Sequence, residues 1–151
     1  MNLKERLSED LKSAMKSGDT VSRSTIRLIL AAVKNVEIAN GTESNDQIIT
    51  EVLARMNRQY KESIEQYSNA GRTDLADTES AELAVVMNYL PEQLSREEIL
   101  EFVQQAVQDV GASGPNDRGK VMGRLMPQLR GKADGNLVNG VVTELLESLG
   151  S

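Results

Sequence analysis

The stretch Gly119-Lys120-Val121-Met122-Gly123-Arg124-Leu125-Met126-Pro127-Gln128-Leu129-Arg130-Gly131-Lys132-Ala133-Asp134-Gly135 spells Gly-Lys-x-x-Gly twice, twelve residues apart. At about 100° per residue, a helix over Asp117 to Leu129 gathers Val121, Met122, Leu125, Met126 and Leu129 on one face and turns Lys120 and Arg124 to the other. Gly119, Gly123 and Pro127 recur at four-residue spacing and leave a strip with almost no side chain. A helical glycine costs about 1 kcal/mol relative to alanine. The strip therefore predicts that something approaches closely, a second helix ahead of a phosphate backbone.

On either side of this helix the same period continues. Gly111-Ala112-Ser113-Gly114-Pro115 interrupts the chain before it. Upstream of that break, Ser95-Arg96-Glu97-Glu98 reads as a capping box, with Ser95 at the N-cap and Glu98 three residues on. The helix it starts carries Ile99, Leu100, Phe102, Val103, Ala106, Val107 and Val110. Downstream, Gly131 ends the Gly-Lys helix and Asp134 caps a last helix through Leu137, Val138, Val141, Val142, Leu145, Leu146 and Leu149. Wide apolar faces and short connections predict that these three close into a bundle over residues 93–151, a size that is marginal but feasible for independent stability.

Residues 1–92 read as a second helical domain. Leu3, Leu7, Leu11, Ala14 and Met15 make a first helix closed by Gly18, and Asp19 caps a second with Ile26, Ile29, Leu30, Val33 and Val36 that stops at Asn40-Gly41. A third runs from about Asn45 to about Gly71 through Ile48, Ile49, Val52, Leu53, Met56, Tyr60, Ile64 and Tyr67. A fourth carries Leu75, Leu83, Val86, Met87 and Leu90 and ends before Pro91. No segment alternates at period two over strand length, so the fold class is all-α.

Composition narrows the chemistry. The 151 residues are 39% apolar, 26% charged and only 3% aromatic, which predicts a folded protein with an aliphatic core. Cysteine and histidine are both absent. That removes thiol nucleophiles, the Ser-His-Asp relay, disulfides and the sulfur and imidazole zinc sites. No apolar run is long enough to span a membrane, and the charged N-terminal helix is unlike a signal peptide. A cytoplasmic location, with no membrane partner, is the expectation. No metal, cofactor or catalytic residue emerges.

The net charge is −6, yet residues 113–140 hold five basic side chains (Arg118, Lys120, Arg124, Arg130, Lys132) against two acidic ones (Asp117, Asp134). Such an island is where an anionic partner would be met. Gly114-Pro115-Asn116-Asp117-Arg118-Gly119-Lys120 matches seven positions of a phosphate-binding loop. Val121 then stands where a hydroxyl should reach Mg²⁺, and no strand precedes it, so a turn is the better reading. Arg23, Arg27 and Lys34, and likewise Arg55, Arg58 and Lys61, fall at helical spacing and read as solvated faces, with Arg58 pairing to Glu62. Glu79 and Glu82 suggest an acid–base pair, but without an evident pocket they read as acidic helix surface. Tyr60 and Tyr67 read as packed.

Tyr89-Leu90-Pro91-Glu92-Gln93-Leu94-Ser95, Gly119-Lys120-Val121-Met122-Gly123, Leu125-Met126-Pro127 and Gly131-Lys132-Ala133-Asp134-Gly135 with Leu137-Val138-Asn139 together resemble the GatB/YqeY family over essentially the whole chain. Arg27-Leu28 and Ala31-Ala32-Val33-Lys34-Asn35-Val36-Glu37 resemble its N-terminal signature. In that family the C-terminal helices are similar to the tail of the tRNA amidotransferase B subunit, and related modules accompany some glutaminyl-tRNA synthetases. The resemblance implies contact with tRNA, and a link to carbon–nitrogen ligation with glutamine as amido donor that these residues alone do not account for.

The expectation is a non-catalytic, tRNA-binding accessory module in aminoacyl-tRNA synthesis or tRNA-dependent amidation, partnered by a synthetase or an amidotransferase. Its nucleic-acid-binding residues would be Lys120, Arg124, Lys132, Arg130 and Arg118, with Gly119 and Gly123 letting the backbone close in. A share in amide transfer itself, or a helical protein-interaction adaptor, are the alternatives.

Overall fold

A computed structural model describes residues 2–150. Its regular structure is helical throughout: α1 (Leu3–Ser17), α2 (Thr20–Asn40), α3 (Asp46–Asn69), α4 (Thr73–Met87), α5 (Arg96–Val110), a single 3-10 turn (Pro115–Asp117), α6 (Arg118–Leu129) and α7 (Gly135–Gly150). The chain divides into two compact units, one ending at Pro91 and the other beginning at Glu92.

Local chemistry sets most of the helix ends. Asn2, Asp19 and Asn45 each accept a bond from the backbone N–H three residues on, at 2.8, 3.1 and 2.9 Å, which satisfies an otherwise orphaned donor of the first turn. Gly18 and Gly41 close α1 and α2 at φ +75° and +70°, a conformation that disfavours any side chain. Ser95 and Glu98 form the reciprocal capping box at α5. The fourth helix ends earlier than the proline alone implies: Asn88, Tyr89 and Leu90 turn back through bonds to Val85, Val86 and Met87.

In the first unit α3 and α4 fold back on each other across the turn at residues 70–72, and α2 packs on both. Leu7, Ile26, Ile29, Val33, Ile49, Val52, Leu53, Val85, Val86 and Tyr89 form the core, each large aliphatic side chain worth roughly 1.5–3 kcal/mol of burial. Lys4 of α1 meets Glu37 of α2 at 3.1 Å. Tyr89 donates its hydroxyl to Asp10 at 2.5 Å, and the Arg6 guanidinium sits 4.7 Å from its ring centroid while donating to the Asn88 carbonyl at 3.0 Å. Two polar residues inside this unit were not foreseen: Thr25 and Asn57 are buried, and the Thr25 hydroxyl and the Asn57 carbonyl oxygen find no hydrogen-bond partner.

In the second unit Ile99, Val103, Val121, Leu125, Leu129, Val138, Val141, Val142 and Leu146 close the three helices on each other. The Leu94 N–H donates to the Lys132 carbonyl and the Gln93 amide to the Gly131 carbonyl, both at 2.9 Å. Pro-Glu-Gln-Leu and Gly-Lys-Ala-Asp-Gly, distant in sequence, are thus two sides of one structural clasp. Gly131 is buried at φ +83°, so the second Gly-Lys pair serves the turn.

Three expectations are corrected. The sixth helix begins at Arg118, because Asp117 belongs to a 3-10 turn, in which its carboxylate accepts from the Ser113 N–H at 2.9 Å. Met15, Met87, Leu100, Phe102, Leu137 and Leu149, read as apolar-face residues, are exposed. The bare strip is also uncovered: a Cβ built at Gly119 or Gly123 meets nothing within 4 Å. Within the second unit, α5 and α7 pack on the apolar side of α6 and leave the strip bare.

Candidate functional site

The basic segment is built on α6 and the turn after it. Arg118 donates to the Asn139 side chain of α7 at 2.7 Å. Lys120 lies 3.9 Å from Asp117, and Arg124 lies 3.5 Å from Asp109 of α5, whose other oxygen accepts from Gln105. Asp117 is held below the ordinary carboxylate range, first by the Ser113 N–H and further by the charge of Lys120. Arg130 sits at the C-cap of α6, and the exposed Lys132 holds the clasp by its backbone. Lys120 and Arg124 are one turn apart on solvent, but each has a carboxylate neighbour in an exposed pair of the kind worth about 0–1 kcal/mol. Gly114 to Asp117 form a turn lying against the end of α7, not a cradle of free amides.

The first unit holds a better-formed concavity. An open cleft of about 570 Å³ lies among α2, α3 and α4, lined by Leu28, Ala32, Arg55, Met56, Gln59, Tyr60, Ser63, Glu79 and Glu82. Leu28 of α2 is 50% exposed, and with Ala32 and Met56 it gives the cleft an apolar wall. The polar wall is organised. Burial, then the charges of Glu82 and Glu79 and a hydrogen bond to Glu82, push the Tyr60 phenol up to about 12. Glu79 is raised above the ordinary carboxylate range by burial first, then by hydrogen bonding to and repulsion from Glu82. Tyr60, Glu82 and Glu79 therefore line the polar wall together, and burial beside the Glu82 carboxylate raises both the Tyr60 phenol and the Glu79 carboxyl.

Sequence reasoning named Glu79, Glu82, Tyr60 and Arg55 but assigned them to surface or core. The i, i+3 spacing of the two glutamates was the available signal. What it lacked was the apolar wall, which comes mainly from α2, some fifty residues upstream of the glutamates. An apolar side facing a few convergent polar groups with displaced pKa values is the usual make-up of a small-ligand site. Among the described residues no group of three or more acidic side chains is arranged to hold a metal ion. No described helix is long and apolar enough to cross a membrane.

Comparison with known proteins bears on both regions. The model of a family described as "Yqey-like protein" matches residues 4–146. Among curated proteins, the chain is similar to "Altered inheritance of mitochondria protein 41, mitochondrial" of several fungi. It is 32% identical to that of Pyrenophora tritici-repentis over 144 residues, covering 93% of this chain and 79% of the relative. It is 35% identical to that of Kluyveromyces lactis over 114 residues, covering 73% and 61%. For Lachancea thermotolerans the figures are 35% over 85 residues, 56% and 46%. The chain thus spans between about half and four-fifths of these relatives.

These relatives correct two expectations. They are named for the inheritance of mitochondria, and their names carry neither tRNA nor amide transfer, so the tRNA-binding accessory role is withdrawn. The physical reason is visible on α6, where Lys120 and Arg124 have carboxylate neighbours and the cationic island is smaller than its charge count implied. The cytoplasmic location is withdrawn as well, because the relatives are named as mitochondrial. Missing cysteines and missing apolar spans do not distinguish one aqueous compartment from another.

Proposed function

The chain belongs to the YqeY-like protein family, and on that premise we propose that it is a binding protein whose ligand is taken up in the α2–α3–α4 cleft. The observation that carries this reading is the cleft itself, where an exposed apolar wall at Leu28 faces the cluster of Tyr60, Glu82 and Glu79. Left to solvent, that arrangement is unfavourable on both sides, because apolar surface is wetted and two carboxyls are crowded. An occupant relieves both. The relatives' names support the further reading that this binding serves the inheritance of mitochondria.

The test is replacement of the Kluyveromyces lactis relative by this chain, directed to the same compartment. Inheritance of functional mitochondria is scored with wild type and with Ala32→Trp, which fills the cleft from α2. Rescue by wild type and failure by the folded Ala32→Trp protein is the expected result. Equal rescue by both would remove the cleft from the function.

A further inference from the structure

The lining of the cleft is polarised along its length. Arg55, Gln59 and Ser63 follow one another at four-residue spacing on α3, so Arg55 and Ser63 are about 12 Å apart along the helix axis. Because the chain reverses at residues 70–72, Glu79 lies nearer the Ser63 end than Glu82 does, and Glu82 meets Tyr60 midway. Arg55, exposed, has no ion-pair partner among the described residues. One end of the cleft is cationic, the other is acidic, and the wall between them is apolar.

We propose that the ligand is an extended zwitterion, a short peptide with free ends, bound with its ammonium group at Glu79 and Glu82 and its carboxylate at Arg55. This rests on the cleft being the binding site, and adds which chemistry fills it. Two carboxyls and a phenol oxygen supply acceptors for an ammonium, which has three donors and no acceptor. The guanidinium of Arg55 offers the paired donors that a carboxylate takes in bidentate fashion. Three extended residues reach about 10 Å, comparable to the separation of the two ends. Leu28, Ala32 and Met56 receive small aliphatic side chains between them. A simple amine would leave Arg55 unanswered, and a simple acid would leave the glutamates so.

The probes are trialanine, its N-acetyl form and its C-terminal amide, titrated against the full chain while the backbone amide shifts of Leu28, Tyr60 and Ser63 are followed. Trialanine is expected to shift all three, and each blocked form to bind at least tenfold more weakly. Arg55→Gln should erase the penalty of amidation and keep that of acetylation, and Glu82→Gln should do the reverse. Equal binding of the three probes, penalties untouched by the substitutions, or no shift with trialanine at millimolar concentration would each overturn the assignment. If trialanine fails while Ala32→Trp still abolishes rescue, the peptide is wrong and the cleft stands. If Ala32→Trp rescues fully, the cleft itself is wrong.

Discussion

Replacing Gly123 by alanine adds one methyl group to the solvent side of α6, where a Cβ meets no heavy atom within 4 Å. Glycine within a helix costs about 0.8–1.0 kcal/mol relative to alanine, because its backbone loses more freedom on folding. With nothing to clash against, Gly123→Ala should stabilise the second unit by about 1 kcal/mol, or about 4–8 °C in Tm for a domain of that size. Gly131→Ala makes the opposite change. That residue is buried at φ +83°, and forcing a side chain into the left-handed region costs about 1–2 kcal/mol. Amide hydrogen exchange at Val121 and Leu125, both in the core of this unit, reports its opening free energy. Exchange there should slow about fivefold in Gly123→Ala and speed up in Gly131→Ala. Faster exchange in Gly123→Ala would mean that the glycine strip of α6 is covered in the folded chain, and its exposure to solvent would be refuted.

Ser95→Ala removes one half of the capping box and should cost about 0.5–2 kcal/mol, measured as a lower urea midpoint. Thr25→Val replaces a buried hydroxyl that lacks a partner and should raise stability by about 1 kcal/mol, whereas a loss of that size would reveal a bond to Thr25 in solution. Glu37 is held below its ordinary value of 4.5 by its hydrogen bond to Lys4. Its contribution is therefore present above about 4.5 and lost as pH falls through the depressed pKa of the folded state, a loss that Glu37→Gln should not show. Glu79 is raised, with burial as the main cause. Its contribution runs the other way, being present below 4.5 and lost as pH rises through the folded value, so Glu79→Gln should be the more stable protein near neutrality.

Much of the fold can be read from the sequence alone because its signals are local. Gly18 and Asp19, Asn40-Gly41, and Ser95 with Glu98 act on backbone groups within four residues, and the spacing of Val121, Leu125 and Leu129 marks one helix face whatever covers it. These features determine an all-α chain with helix boundaries close to those observed. The family follows from short motifs of the same kind, and the clasp shows why two of them, Pro-Glu-Gln-Leu and Gly-Lys-Ala-Asp-Gly, go together. Tertiary structure alone decided what lies against each face. The strip at Gly119 and Gly123 was expected to be covered and is open. Glu79 and Glu82 were expected on plain surface and border a cleft. A hydrophobic period says that a face is buried but not by what, and a cleft made from Leu28, Tyr60 and Glu82 exists only once three helices, spread over more than fifty residues, have packed.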